Sequence, residues 1–322
     1  MRVTNSMMSN RLLMNLNKNL LRLDKHQQKL STGKKFNMPS DDPIGVSKSL
    51  ELNTARSELE QYKKNAEDAL SWLEITESAI SDIGDILQRA RELAVSADGT
   101  ETKNDKEKIK AEIDQLREQL IKLANITYSG KYIFSGFKTN QALLQDNGTY
   151  NIDSRDAEIM KFNVGVADQV VVNILGHKLF GATTTENAPP YNTNLDGVQV
   201  NMNEGDAIPG RKAELIALFE DFSYALENNE QTRIEQTIAR IDKHMENVLS
   251  LRGEIGAKTN RMELTINRID NDYLNFTKLL SKNEDADLAE VIMQFKNDEN
   301  VYRAALSTGA KAIQPSLIDF IR

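Results

Sequence analysis

The residues of this chain that come nearest to chemistry are two groups of carboxylates, Asp41-Asp42 and the trio Glu284, Asp285 and Asp287. Adjacent carboxylates can divide general acid and general base work, and three within four residues can offer oxygens to a hard cation such as Ca2+. Their neighbours point elsewhere. Ser40, Asp41 and Asp42 stand directly before Pro43, which suits the first position of a helix because no N–H is missed there. Glu284, Asp285 and Asp287 stand just ahead of Leu288-Ala289, where acids cap and favour a helix N-terminus. No second acid-base group or binding loop accompanies either group, so capping is the expected role of both.

Other chemistries lack their parts. Cysteine is absent, which excludes disulfides, thiolate nucleophiles and cysteine metal sites. His26, His177 and His244 lie in three different segments with no metal-ligand spacing among them. There is no glycine-rich phosphate loop after a strand and no nucleophile elbow. The expectation is a protein that is not an enzyme and holds no metal or cofactor. A net charge of -8 argues against a nucleic-acid partner. Met1 to Ile44 has neither the apolar centre nor the small-residue cleavage site of a signal peptide, and no apolar run is long enough for membrane insertion.

What the sequence does specify is long helices. From Leu52 to Ala97 apolar or small residues recur at alternating spacings of three and four: Leu52, Ala55, Leu59, Tyr62, Ala66, Ala69, Leu73, Thr76, Ile80, Ile83, Leu87, Ala90, Ala94 and Ala97. That keeps one stripe facing one partner along a helix of about 70 Å. A matching seam runs from Ile234 through Ile238, Ile241, Met245, Val248, Ile255, Met262, Ile266, Ile269, Tyr273 and Phe276 to Leu280, with Arg252 and Thr259 as polar breaks. Two seams of equal length from opposite halves most simply pack on each other. The expected fold is mainly α: a long antiparallel, coiled-coil-like helical rod drawn from both ends of the chain, with a small inserted, mostly β domain. A charged fraction of 27% and only 6% aromatic residues suit such helical surfaces.

Each end adds an amphipathic arm. Leu13, Leu16, Leu20, Leu23 and Leu30 continue the three-four rule in the first, where the polar Gln27 fills the step between the last two, and Leu288, Ile292, Phe295, Tyr302, Leu306 and Ile313 in the last, where Glu299 and Gly309 interrupt the stripe. These eleven residues are the candidate assembly interface. Residues 1–35 carry eight Lys or Arg against the single acid Asp24, whereas residues 281–322 carry five basic and seven acidic side chains. A basic amphipathic helix can lie on a membrane, but this one lacks Trp or Phe anchors, so a protein partner is favoured. The arms are mildly complementary in charge. Gly33 is expected to stop the first arm, and the next helix to start near Pro43.

Between the helical halves the spacing rule changes. Ile109, Ile113, Leu116, Leu120 and Leu123 mark a shorter helix turning back on the long one, and Ser129 to Gly136 reads as a strand. Asn147-Gly148 signals a hairpin, further strands are expected at 158–164, 169–175 and 198–202, and 183–194, with Pro189-Pro190, is turn-rich. Leu215, Leu218, Phe219, Phe222 and Leu226 return the chain to helix. The expected domains are therefore an arm at 1–42, helical parts at 43–136 and 211–280, an insert at 137–210 and an arm at 281–322. Because the two long seams pair with each other, the insert should be separable from the helices.

Several of these stretches carry a resemblance. Leu30 to Gly45, LSTGKKFNMPSDDPIG, resembles the N-terminal signature of the bacterial flagellin family, and Ser281 to Leu288, SKNEDADL, is similar to the Ser-x-x-x-Asp-Ala-Asp signature of its C-termini. Gly130-Lys131-Tyr132-Ile133-Phe134-Ser135-Gly136 resembles a junction found in the same family. Asp41-Asp42-Pro43, the opening Met1 to Asn5 and the ending Ser316 to Phe320 lean towards the family's hook-filament junction branch rather than its filament subunits. The resemblance implies an extracellular structural subunit of the flagellum, exported without a cleaved signal peptide. Its implied partners are flagellin, the adjacent junction protein, copies of itself in a ring, and a cytoplasmic export chaperone on the C-terminal arm. Two other classes fit less: an enzyme lacks its motifs, and a long helical signalling rod leaves the β insert unexplained.

Overall fold

The computed structural model describes residues 5–98, 102–183 and 207–313. In chain order these form helices α1 (Asn5–Thr32), α2 (Pro43–Asp98) and α3 (Lys103–Ala124), strands β1 (Thr127–Tyr128), β2 (Lys131–Tyr132), β3 (Lys161–Asn163) and β4 (Gln169–Val171), then helices α4 (Gly176–Phe180), α5 (Glu214–Asn228), α6 (Gln231–Glu284) and α7 (Leu288–Ile313). The fold is mainly α with a small strand-bearing insert. It divides into a central unit, residues 61–270, and a terminal unit built from 1–60 and 271–322.

In the central unit α2 and α6 pair antiparallel. As α2 ascends through Lys63, Glu77, Arg91 and Asp98, it meets Asp270, Arg252, Asp242 and Gln231 in turn. Every seam position of α2 from Ala66 to Ala97 is buried, and α6 answers at seven-residue intervals with Ile234, Ile241, Val248, Ile255, Met262 and Ile269. Arg252, expected as a break in the seam, is turned outward and Leu251 is buried beside it, so the stripe drifts round the helix there. A second buried stripe of α2, Trp72, Ala79, Ile86 and Leu93, was not apparent from the spacing of the first. α2 buries two faces because it has neighbours on both. Trp72 meets Tyr128 edge-on at 5.9 Å, and Arg89 pairs with Glu112 of α3.

α5 packs on α3 and is buried around most of its circumference. One charge lies inside it. Asp221 accepts hydrogen bonds from Arg233 at 3.1 Å and Arg240 at 2.9 Å, with the Arg240 side chain also buried. Nearby His244 is fully buried, and burial together with the Arg240 charge pushes its pKa down to about 3, so it is neutral at ordinary pH.

The insert is less regular than its sequence suggests. Ser129 and Gly130 adopt positive φ, 49° and 76°, which turns the chain between β1 and β2 instead of extending one strand to Gly136. β3 and β4 pair over three residues each. Their ladder stops early because the Asn173 side chain takes both the Met160 N–H and the Glu158 carbonyl. α4, unanticipated, follows at Gly176, where a Cβ would collide with Leu143. The strand expected at 198–202, and most of the turn-rich stretch with Pro189-Pro190, lie outside the described residues.

The insert shares one core with the helices. Leu143, Tyr150, Val170 and Phe180 of the insert belong to the same buried cluster as Leu73, Ile113 and Ile216 of the helices. Phe134 stacks edge-on to Phe180 at 5.9 Å, and the Tyr150 hydroxyl donates to the Gly181 carbonyl at 2.5 Å. The expected separability of the insert is therefore not supported: removing it would strip the apolar cover from α5.

Candidate assembly interface

In the terminal unit the two ends of the chain are joined at their turns. α1 stops where Gly33 takes φ +71° and its N–H bonds the Lys29 carbonyl at 2.8 Å. α2 starts where the Asp42 carboxylate accepts from Gly45 N–H at 3.0 Å, and α7 where Asp287 accepts from Ala289 N–H at 3.0 Å. So Asp42 and Asp287 are caps, and Asp41 accepts from Lys25 at 3.1 Å. That hydrogen bond, against the opposing effect of burial, holds the Asp41 carboxyl below its usual range.

Glu284 is not a cap. The segment 33–35 lies antiparallel to 284–286, with Lys35 N–H donating to the Glu284 carbonyl at 2.6 Å and Ala286 N–H to the Gly33 carbonyl at 2.8 Å. Lys34 Nζ reaches the Glu284 carboxylate at 2.5 Å and Asn53 donates to it at 3.3 Å. Asn283 donates to Ser49 Oγ at 2.7 Å and to the Gly45 carbonyl at 2.8 Å. Two of the motifs that carry the family resemblance, Leu30 to Gly45 and Ser281 to Leu288, thus form one clasp. Among the described residues no group of three His, Cys, Asp or Glu could hold a metal ion.

The clasp should release in acid. Burial pushes the Glu284 carboxyl up, but hydrogen bonds from Lys34, Ser49 and Asn53 and the Lys34 charge outweigh it and hold the pKa below the ordinary 4.5. A carboxylate with a depressed pKa contributes stability that is full above the unfolded value and is lost as pH falls through the folded one. The backbone amide signals of Lys35 and Ala286 should therefore shift together with a midpoint below pH 4.5, and Glu284→Gln should remove that transition. Identical titrations in the two proteins would show that Glu284 does not hold the clasp.

Beyond the clasp α1 and α7 pack against each other. Asp298 of α7 lies 3.7 Å from Arg22 and 3.5 Å from His26. Gly309, which reads in the sequence as a gap in the stripe, is the hole for Leu12: a Cβ there would lie 2.5 Å from Leu12 Cδ2. The adjacent pairs Leu12-Leu13 and Leu20-Leu21 could have signalled that α1 has two apolar flanks, since neighbours on a helix point about 100° apart.

The candidate residues fall into two groups. Leu13, Leu20, Leu288, Ile292 and Leu306 are exposed, while Leu16, Leu23, Leu30, Phe295 and Tyr302 are half-buried. Ile313 ends α7, and its side chain lies outside the described residues. Further apolar side chains that the stripe missed are also exposed: Met14 and Leu21 on α1, Met293 and Val301 on α7. Surface leucines scattered singly are ordinary, and it is the number of exposed apolar side chains on this one helix pair that makes it the candidate interaction surface.

One constellation in the central unit resembles a catalytic set. Ser154 Oγ lies 2.9 Å from His177 Nδ1, and His177 Nε2 lies 3.1 Å from Asp156, which also pairs with Lys178 at 3.0 Å. Ser154 is 1% exposed, so a substrate carbonyl cannot reach its hydroxyl, and the set ties α4 to the preceding loop. Asn125, which matches a glycosylation triplet with Thr127, is similarly committed: its amide bonds both the carbonyl and the N–H of Leu144.

The described helices thus include two antiparallel pairs, and the terminal pair carries part of its apolar stripes exposed. Comparison with known proteins places the chain among relatives. The family model described as the bacterial flagellin N-terminal helical region matches residues 3–139, and that of the bacterial flagellin C-terminal helical region matches 238–321. The chain belongs to the bacterial flagellin family and is a structural component of the bacterial flagellum. It is 29% identical to flagellar hook-associated protein 3 of Escherichia coli over 285 residues, 87% of each chain. It is 26% identical to a flagellin of Clostridium tyrobutyricum, over 97% of this chain and 99% of that one. Its fold is similar to the crystal structure of flagellar hook-associated protein 3 from Legionella pneumophila, with a TM-score of 0.56 and 20% identity, covering 72% of this chain and 98% of that one. No described helix is long and apolar enough to cross a membrane.

Proposed function

We propose that this chain joins hook to filament by assembling through α1 and α7. The observation that carries this reading is the terminal helix pair, clasped at its base by Lys34 and Glu284 yet carrying exposed Leu13, Leu20, Leu288, Ile292 and Leu306. Fully burying such a side chain is worth roughly 1.5 to 3 kcal/mol, so covering the half still exposed adds about 1 kcal/mol each. One such contact cannot offset the cost of association, and stable attachment needs several stripes covered together.

On this reading residues 1–42 and 281–322 are the assembly arms, and residues 43–280, including the insert at 137–210, form the body they attach. The partners are flagellin, the adjacent hook-associated junction protein and copies of the same chain in a ring, with an export chaperone covering the C-terminal arm before assembly. Export proceeds without a cleaved signal peptide. Likeness to hook-associated protein 3 supports the junction role. The match to flagellin along nearly the whole chain favours a second reading, a filament subunit of the same family.

Complementation separates the two. Supplied to cells that lack their hook-filament junction subunit, the chain should restore filaments on hooks, and it should fail to build filaments in cells that lack flagellin. The reverse pattern would establish the filament subunit instead.

A further inference from the structure

The methionines of this chain are distributed unevenly. Of those in the described residues, Met7, Met8, Met14, Met38 and Met293 are 48 to 60% exposed, and all five belong to the terminal unit. In the central unit Met262 is fully buried, and Met160 and Met245 are partly buried against the core. Methionine offers a flexible, polarizable side chain suited to surfaces that pack against more than one partner, and its thioether is open to oxidation wherever solvent reaches it.

We propose that the five exposed methionines are a modification site through which peroxide-class oxidants act on this chain, converting the arm surface from apolar to polar and removing the free subunit from assembly. This rests on the reading of α1 and α7 as the assembly surface. The step balances without a cofactor. A sulfur lone pair attacks one oxygen of hydrogen peroxide, an S–O bond forms and the O–O bond breaks. The sulfur is oxidised by two electrons, and the departing hydroxide takes up the proton lost from the transferred oxygen, leaving sulfoxide and water. The product sulfoxide is polar and chiral, and methionine sulfoxide reductases reverse it. Met14 lies one residue from Leu13, and Met293 one residue from Ile292, so each oxygen would be introduced beside a proposed contact. Once a neighbouring subunit covers the arms, the same thioethers are shielded, and the chemistry acts before assembly rather than after it.

The test uses the full chain, hydrogen peroxide and purified flagellin filaments. Peptide mass spectrometry over a time course should show sulfoxide on Met7, Met8, Met14, Met38 and Met293 forming at least about tenfold faster than on Met160, Met245 and Met262. Equal rates across the two groups would overturn the proposal. Untreated chain should sediment with filaments, and oxidised chain should not. A variant with all five methionines replaced by leucine, a volume-conserving change, should bind before and after peroxide alike. Binding by chain fully oxidised at the five positions would overturn the proposal, as would equal peroxide sensitivity in the leucine variant. Failure of untreated chain to bind would count against the arms as the assembly surface, and the ordering of oxidation rates would then stand or fall on its own.

Discussion

Leu73→Asp is expected to unfold the central unit. Leu73 is fully buried in the α2 seam, within the same core as the insert and α5. Truncating a buried leucine costs about 2 to 5 kcal/mol through lost transfer energy and the cavity left behind. A carboxylate adds the cost of placing an unpaired polar group in an apolar site, several kcal/mol more even when the group protonates to escape its charge. The sum is comparable with the roughly 5 to 15 kcal/mol by which a domain is stable at all. Circular dichroism and a urea titration would measure it. A cooperative transition within about 1 kcal/mol of the unsubstituted protein would mean that the α2 seam is not the core.

That seam was legible because a helical stripe is a local property. Spacing alone located α2, α6, α3 and both arms, and Gly33, Asp42-Pro43 and Asp287 marked their ends. Features that depend on distant partners were not legible in the same way. The stripe Trp72, Ala79, Ile86 and Leu93 is buried because α2 has neighbours on a second face, which the composition of α2 does not announce. The short ladder of β3 and β4 depends on Asn173 replacing main-chain partners with its own amide. Glu284 looked like a cap because its true partner, Lys34, is 250 residues away. Gly309 looked like a defect, and only the approach of Leu12 shows what it accommodates.

Leu20→Asp and Leu306→Asp are expected to do the opposite of Leu73→Asp: leave the fold and abolish assembly. Leu20 is 51% exposed and Leu306 46% exposed, so in the free chain an aspartate at either position keeps its charge in water. The cost to stability should be less than about 1 kcal/mol, near the range of ordinary surface changes. In an assembled contact the same carboxylate would be desolvated against an apolar neighbour, and that penalty recurs in every subunit. The burial contribution of about 1 kcal/mol per contact is lost as well. Filament growth depends on the whole set of contacts, so a single substitution should suffice.

The measurement that tests the division of labour most directly pairs a melting curve with electron-microscopic counting of filaments on hooks, for the unsubstituted chain and for Leu20→Asp and Leu306→Asp, in cells lacking the native junction subunit. The expected result is a melting midpoint within about 4 °C of the unsubstituted chain, together with bare hooks. Normal filaments from either variant, or a midpoint lowered as far as that of Leu73→Asp, would contradict the account.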